Sequence, residues 1–138
     1  MAYAGDVTSR QAWEALTRDP RATLVDVRTR PEWSYVGVPT LDHLGKKPLF
    51  VCWQRFPGME LNDRFADELA GQGAGKGDTL YFMCRSGTRS RAAAEAMTGV
   101  GYARCFNVTD GFEGPRDDEG HRGRAAGWKA SGLPWVQE

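Results

Sequence analysis

The chain has 138 residues, 41% hydrophobic and 26% charged, with 18 Lys+Arg against 18 Asp+Glu and a formal net charge of zero. That length and composition suit one soluble globular domain spanning residues 1–138, with a core of its own. The balanced charge argues against nucleic acid or an anionic membrane as partner, and no apolar run approaches the ~20 residues of a spanning helix.

The first six residues lack the basic flank and apolar core of a signal peptide. Cys52, Cys84 and Cys105 are odd in number, widely spaced and without a C-x-x-C pattern, which argues against a disulfide scaffold or a cysteine-rich zinc site. A reducing cytoplasm is the expected location.

Thr8 and Gln11 have the spacing of a capping box. Ala12, Trp13 and Leu16 follow on one helical face, and Pro20 lies beyond the helix end. Residues 22–27 are a short apolar, β-rich run expected as a central strand. Asp26 interrupts it near the carboxyl end, where a polar residue most simply caps a loop. If buried, its carboxylate needs partners, and Arg28 or loop amides can supply them. Pro31-Glu32-Trp33 starts a helical turn.

Residues 34–59 contain Pro39, Pro48 and Pro57 and show little pattern beyond a short strand expected at 48–53. Cys52 within it is expected as a small buried apolar residue, and Trp53 and Phe56 either line a pocket or, as is commoner for aromatics near a strand end, belong to the core. Leu61, Phe65 and Leu69, spaced by four, predict one face of an amphipathic helix. The glycine-rich stretch 71–77 ends it. No strand precedes that stretch and no Gly-Lys-Ser/Thr leads into a helix, so it is a connection rather than a phosphate loop.

Residues 79–83 predict a buried strand and 91–97 a helix. Between them lies Cys84-Arg85-Ser86-Gly87-Thr88-Arg89-Ser90. Loop amides and a helix N-terminus both favour negative charge there, an environment that promotes the thiolate form of a cysteine. Cys84 is therefore the candidate nucleophile and its loop a candidate anion cradle. Gly87 lets the loop turn with its amides inward. Ser86, Thr88 and Ser90 either add hydroxyl donors or cap the following helix. Residues 104–108 predict another strand, with Cys105 as core. The charged, glycine-rich stretch 111–127 reads as a solvated loop or a wall of the site, with at most a short helix at 125–130.

Strands alternating with helices indicate an α/β domain with a parallel sheet covered on both faces. Sites in such sheets lie beyond the carboxyl ends of the strands, where Cys84 and Asp26 both fall. Two cysteine chemistries use a loop of this shape: phosphate-ester hydrolysis through a thiophosphate, and sulfur transfer through a persulfide. The tyrosine-phosphatase signature places arginine sixth after the cysteine; here that position is Ser90, and Arg89 comes one residue early.

The loop, following a strand, resembles the active-site loop of the rhodanese sulfurtransferase family. Leu24-Val25-Asp26-Val27-Arg28 through Trp33 resembles that family's N-terminal signature. Gly111-Phe112-Glu113-Gly114, Gly127-Trp128 and Gly132-Leu133-Pro134-Trp135 resemble its C-terminal one. Where the family carries Gly-His-Ile-Pro-Gly-Ala, this chain has Val36-Gly37-Val38-Pro39-Thr40-Leu41 and a longer segment to Met59.

The resemblance implies a three-layer domain with a central parallel sheet of about five strands and helices on both faces. It also implies that Cys84 takes a sulfur from thiosulfate or a related donor and passes it to cyanide or a thiol, a protein acceptor included. The amides of residues 85–90 would hold the sulfur, with Arg85 and Arg89 attracting an anionic donor and Asp26 and Arg28 supporting the site. No cofactor or metal is implied, and His43 and His121 sit in no motif. The alternatives are a cysteine-dependent phosphatase or arsenate reductase on a related fold, and a non-catalytic sulfur carrier or binding module.

Overall fold

The computed structural model describes residues 3–137. In chain order it contains β1 (Gly5–Val7), α1 (Ser9–Arg18), β2 (Ala22–Asp26), α2 (Arg30–Tyr35), β3 (Val38–Pro39), a 3₁₀ turn (Asp42–Leu44), β4 (Leu49–Phe50), β5 (Gln54–Arg55), β6 (Glu60–Leu61), α3 (Phe65–Gly71), β7 (Thr79–Met83), α4 (Thr88–Val100), β8 (Arg104–Val108) and β9 (Trp135–Val136). Five strands form one sheet in the order β1-β8-β7-β2-β4, and every pairing in it is parallel.

All five residues of β7 are buried, as a strand covered on both faces requires. Its side chains alternate between two cores. Leu80 and Phe82 join Val25, Phe65, Leu69, Ala93 and Met97 on the side of α3 and α4. Tyr81 and Met83 join Ala12, Leu16, Leu24, Phe112 and Trp128 on the side of α1 and the C-terminal segment. The fold is thus an α/β three-layer domain. Thr8 and Gln11 form the full capping box ahead of α1, and Ala12 and Leu16 bury the expected face.

Several elements differ from the sequence-based expectation. The strand at 48–53 is regular only at Leu49–Phe50, although Val51 and Trp53 continue along β2 by donating to the carbonyls of Asp26 and Val27. Leu61 is not on α3: it is 62% exposed and pairs with Gln54 in an antiparallel hairpin of β5 and β6. Phe56 is 62% exposed rather than core. The stretch 125–130 forms turns and no helix. The short strands β1 and β9 add an edge to the sheet and a pairing with β3. Among the described residues, no helix is long and apolar enough to cross a membrane.

Candidate active site

Cys84 follows β7 directly and continues the Leu80–Phe82 row toward α4. Gly87, at φ 104°, turns the loop into α4. A Cβ there would press into the carbonyl oxygen of Thr109, so only glycine fits. The turn aims the Gly87 N–H at Cys84 Sγ, 3.2 Å away. Ser90, one turn into the helix, places its Oγ 3.2 Å from the same sulfur. No hydroxyl caps α4, whose N-cap is Gly87 itself. Cys84 is 1% exposed and forms the floor of a cavity of about 400 Å³, lined also by Arg85, Ser86, Thr88, Arg89, Glu32, Gln54 and Met59.

The loop is braced from behind. Phe112 N–H donates to the Cys84 carbonyl at 2.8 Å, and the N–H groups of Glu113 and Gly114 both donate to the Arg85 carbonyl at 3.0 Å. Gly111, at φ 67°, backs onto the same carbonyls so closely that no Cβ fits between. With its carbonyls drawn backward, the loop keeps the opposite edge of its backbone for the cavity.

The two arginines of the loop differ. Arg85 is exposed and has no ion pair among the described residues. Arg89 is held in a two-pronged pair with Glu32, at 2.7 and 2.9 Å. Glu32 also accepts from the Thr29 N–H and hydroxyl, at 3.1 and 3.0 Å. Burial pushes the Glu32 carboxyl up, but Arg89 and the two Thr29 donors outweigh it and hold the pKa at about 2, against a usual 4.5. For Arg89, burial works against its charge and the Glu32 carboxylate more than restores it.

Asp26 and Arg28 lie beneath the cavity and do not line it. Both are 0% exposed. Arg28 Nε and Nη2 meet the two Asp26 oxygens at 3.0 and 2.8 Å, and Nη2 also donates to the Gly37 carbonyl at 2.8 Å. Its guanidinium covers the Phe112 ring at 4.2 Å. The pair therefore ties the end of β2 to the bracing turn at residues 111–114.

The structure thus places Cys84, Arg85, Ser86, Thr88 and Arg89 on one cavity, with Gly87 and Ser90 behind it against the Cys84 sulfur and Asp26 and Arg28 buried and outside its lining. It adds Glu32, Gln54, Met59 and Asn107, which the sequence reading passed over. Two signals pointed to them: Glu32 stands three residues after Thr29, the capping-box spacing, and Asn107 is a polar residue in an apolar strand, as Asp26 is. The other cysteines are placed differently. Burial pushes the Cys105 thiol up, which disfavours its thiolate form. Cys52 is half-buried and faces a separate cavity. His43 and His121 are both exposed and away from Cys84.

A family model described as the STR4 middle domain matches residues 4–138. The crystal structure of Rv0390 from M. tuberculosis has a TM-score of 0.92 to this fold at 49% sequence identity, covering 99% of this chain and 100% of that one. The RP600 homolog of Rickettsia rickettsii is 41% identical over 131 residues, 94% of this chain and 95% of its own. Thiosulfate sulfurtransferase GlpE of Actinobacillus pleuropneumoniae is 27% identical over 129 residues, 94% of this chain and 90% of its own.

Proposed function

Because the chain belongs to the STR4 middle-domain family of the rhodanese-like superfamily, we propose that it transfers sulfane sulfur through a persulfide on Cys84. The observation that carries this reading is the sulfur at the floor of a closed loop. One N–H and one hydroxyl stand 3.2 Å from it, and one unpaired arginine, Arg85, stands at the rim.

In the first half-reaction the Cys84 thiolate attacks the outer sulfur of thiosulfate. A sulfur–sulfur bond forms at Sγ, the bond to the sulfonate sulfur breaks, and sulfite leaves with the electron pair. Arg85 attracts the dianionic donor. The Gly87 N–H and the Ser90 hydroxyl hold negative charge on the buried sulfur. In the second half-reaction cyanide or a thiolate attacks the outer sulfur, the bond to Sγ breaks, and the Cys84 thiolate returns. Such covalent relay gives ping-pong kinetics. A reducing cytoplasm suits a cysteine that must cycle between thiolate and persulfide.

Phosphoryl transfer fits less well. The loop is one residue short of the phosphatase signature, and Arg89, its nearest candidate, is engaged by Glu32. The test is intact mass after thiosulfate treatment. A gain of about 32 Da, confined to Cys84, discharged by cyanide as thiocyanate and missing in Cys84→Ser, is the expected result. Thiocyanate formation that survives Cys84→Ser overturns the assignment.

A further inference from the structure

Beside the Cys84 cavity lies a second one, of about 510 Å³, between α2 and the β5–β6 hairpin. Gln54 lines both, so the two are neighbours with that side chain between them. The hairpin belongs to the segment where this chain departs from the rhodanese pattern, so the second cavity is built by what is particular to this sequence.

Its walls mix an aromatic face with the polar side chains of Thr29, Gln54 and Glu68. Trp33 and Phe50 meet edge to face, 5.4 Å between ring centres, and Phe56 completes the wall from the hairpin. Phe56 leaves most of its ring in solvent, although an aromatic side chain gains most when buried. Two arginines stand among these rings. Arg55 is already matched by Asn62 at 2.5 Å and by Asp63 and Glu68 at 3.6 and 3.7 Å. Arg30 is exposed and, among the described residues, has no ion pair. The cavity therefore offers an aromatic slot with one uncompensated cation. Its volume falls within the range of small-molecule sites, roughly 300–1,000 Å³. Thiosulfate and cyanide need only the space over Cys84.

We infer that this second cavity holds the organic body of the sulfur acceptor, a small thiol bearing an aromatic group and one carboxylate. The inference rests on the sulfur-transfer reading for the chemistry, though binding can be measured without it. The aromatic group lies between Trp33, Phe50 and Phe56, the carboxylate meets Arg30, and the thiolate reaches past Gln54 to the persulfide. The acceptor thiolate attacks the outer sulfur, the bond to Cys84 Sγ breaks with its electron pair returning to Sγ, and an organic persulfide leaves. No oxidant or reductant is needed.

Calorimetry with 3-phenylpropanoate, which lacks the thiol and cannot react, tests the subsite alone. Binding is expected for the intact protein, weakened about tenfold by Phe56→Ser and by Arg30→Gln. The amide, 3-phenylpropanamide, is expected to bind more weakly and to be insensitive to Arg30→Gln. Both side chains are exposed, so the variants should keep the fold, which circular dichroism checks. No binding to the intact protein, or equal binding by both variants, overturns the inference. A second arm discharges the Cys84 persulfide with 3-phenyl-2-sulfanylpropanoate, 2-sulfanylacetate or cyanide. The kcat/KM ratio of the aromatic acceptor to cyanide should fall about tenfold in either variant, and an unchanged ratio overturns the acceptor role. Failure to load Cys84 at all counts against the sulfur-transfer reading instead, and leaves the calorimetric arm to decide the subsite.

Discussion

Ser90 Oγ stands 2.6 Å from Asn107 Oδ1 and 3.2 Å from Cys84 Sγ, and a hydroxyl has one proton to give. Asn107 cannot turn around, because its amide N–H₂ donates to Asp6 Oδ1 at 3.0 Å. With a thiol at position 84, donation runs one way, from S–H to Ser90 and from Ser90 to Asn107. An anionic sulfur calls for the Ser90 proton itself, and Asn107 then gives it up.

Ser90→Ala removes that donor. A hydrogen bond to a charged group contributes about 1.5–3 kcal/mol, so persulfide formation should slow by roughly 10- to 100-fold. Asn107→Ala leaves the hydroxyl free to serve sulfur and should slow it less. Single-turnover loading with thiosulfate measures both. An unchanged rate in Ser90→Ala removes the hydroxyl from the mechanism.

The Glu32–Arg89 pair gives a pH signature. The folded carboxyl titrates at about 2, below its usual 4.5. A depressed acid stabilises the fold above its unfolded value and loses that contribution as pH falls from about 4.5 to about 2. Glu32→Gln should therefore lose less stability across this window than the parent chain. Urea midpoints at pH 5 and pH 2.5 check this, and parallel curves would contradict it.

Asp26 and Arg28 form an ion pair with no exposed surface. Removing one partner strands a buried charge, at a cost of about 3–5 kcal/mol. Arg28→Met and Asp26→Leu alone should each destabilise by that amount in chemical denaturation. The double replacement should recover most of the loss. A double variant as unstable as the worse single one shows that packing on Phe112, rather than charge pairing, dominates.

Gly111→Ala places a methyl group against the carbonyls of Cys84 and Arg85 at a positive φ. The cradle must shift to make room, so sulfur transfer should fall at least about tenfold, with the circular dichroism of the sheet retained. Activity equal to the parent would show that the brace does not set the cradle's shape.

The cradle was legible in the sequence because its determinants are local: a buried strand, a cysteine, a glycine turn and a helix within one short stretch. The Asp26–Arg28 pairing was legible for the same reason, since the partners are two residues apart. Glu32 and Arg89 are 57 residues apart, and Asn107 and Asp6 are 101 apart; only the folded sheet brings them together. The hairpin at residues 54–61 misled for a different reason. Leu61 continues the four-residue spacing of Phe65 and Leu69, yet its backbone pairs with Gln54, and tertiary pairing outweighs periodicity there. Strands of two residues, such as β3, β4 and β9, carry too few side chains to show any alternation.

The turn at residues 111–114 holds the Cys84 loop by three backbone hydrogen bonds and stands on Phe112, itself fully buried in one of the two cores. The cradle is therefore anchored to the same core that packs on the sheet. Under the proposed sulfur transfer, loading and unloading would take place on a backbone that is already held in place. On heating, transfer activity and the native fold should disappear at the same temperature.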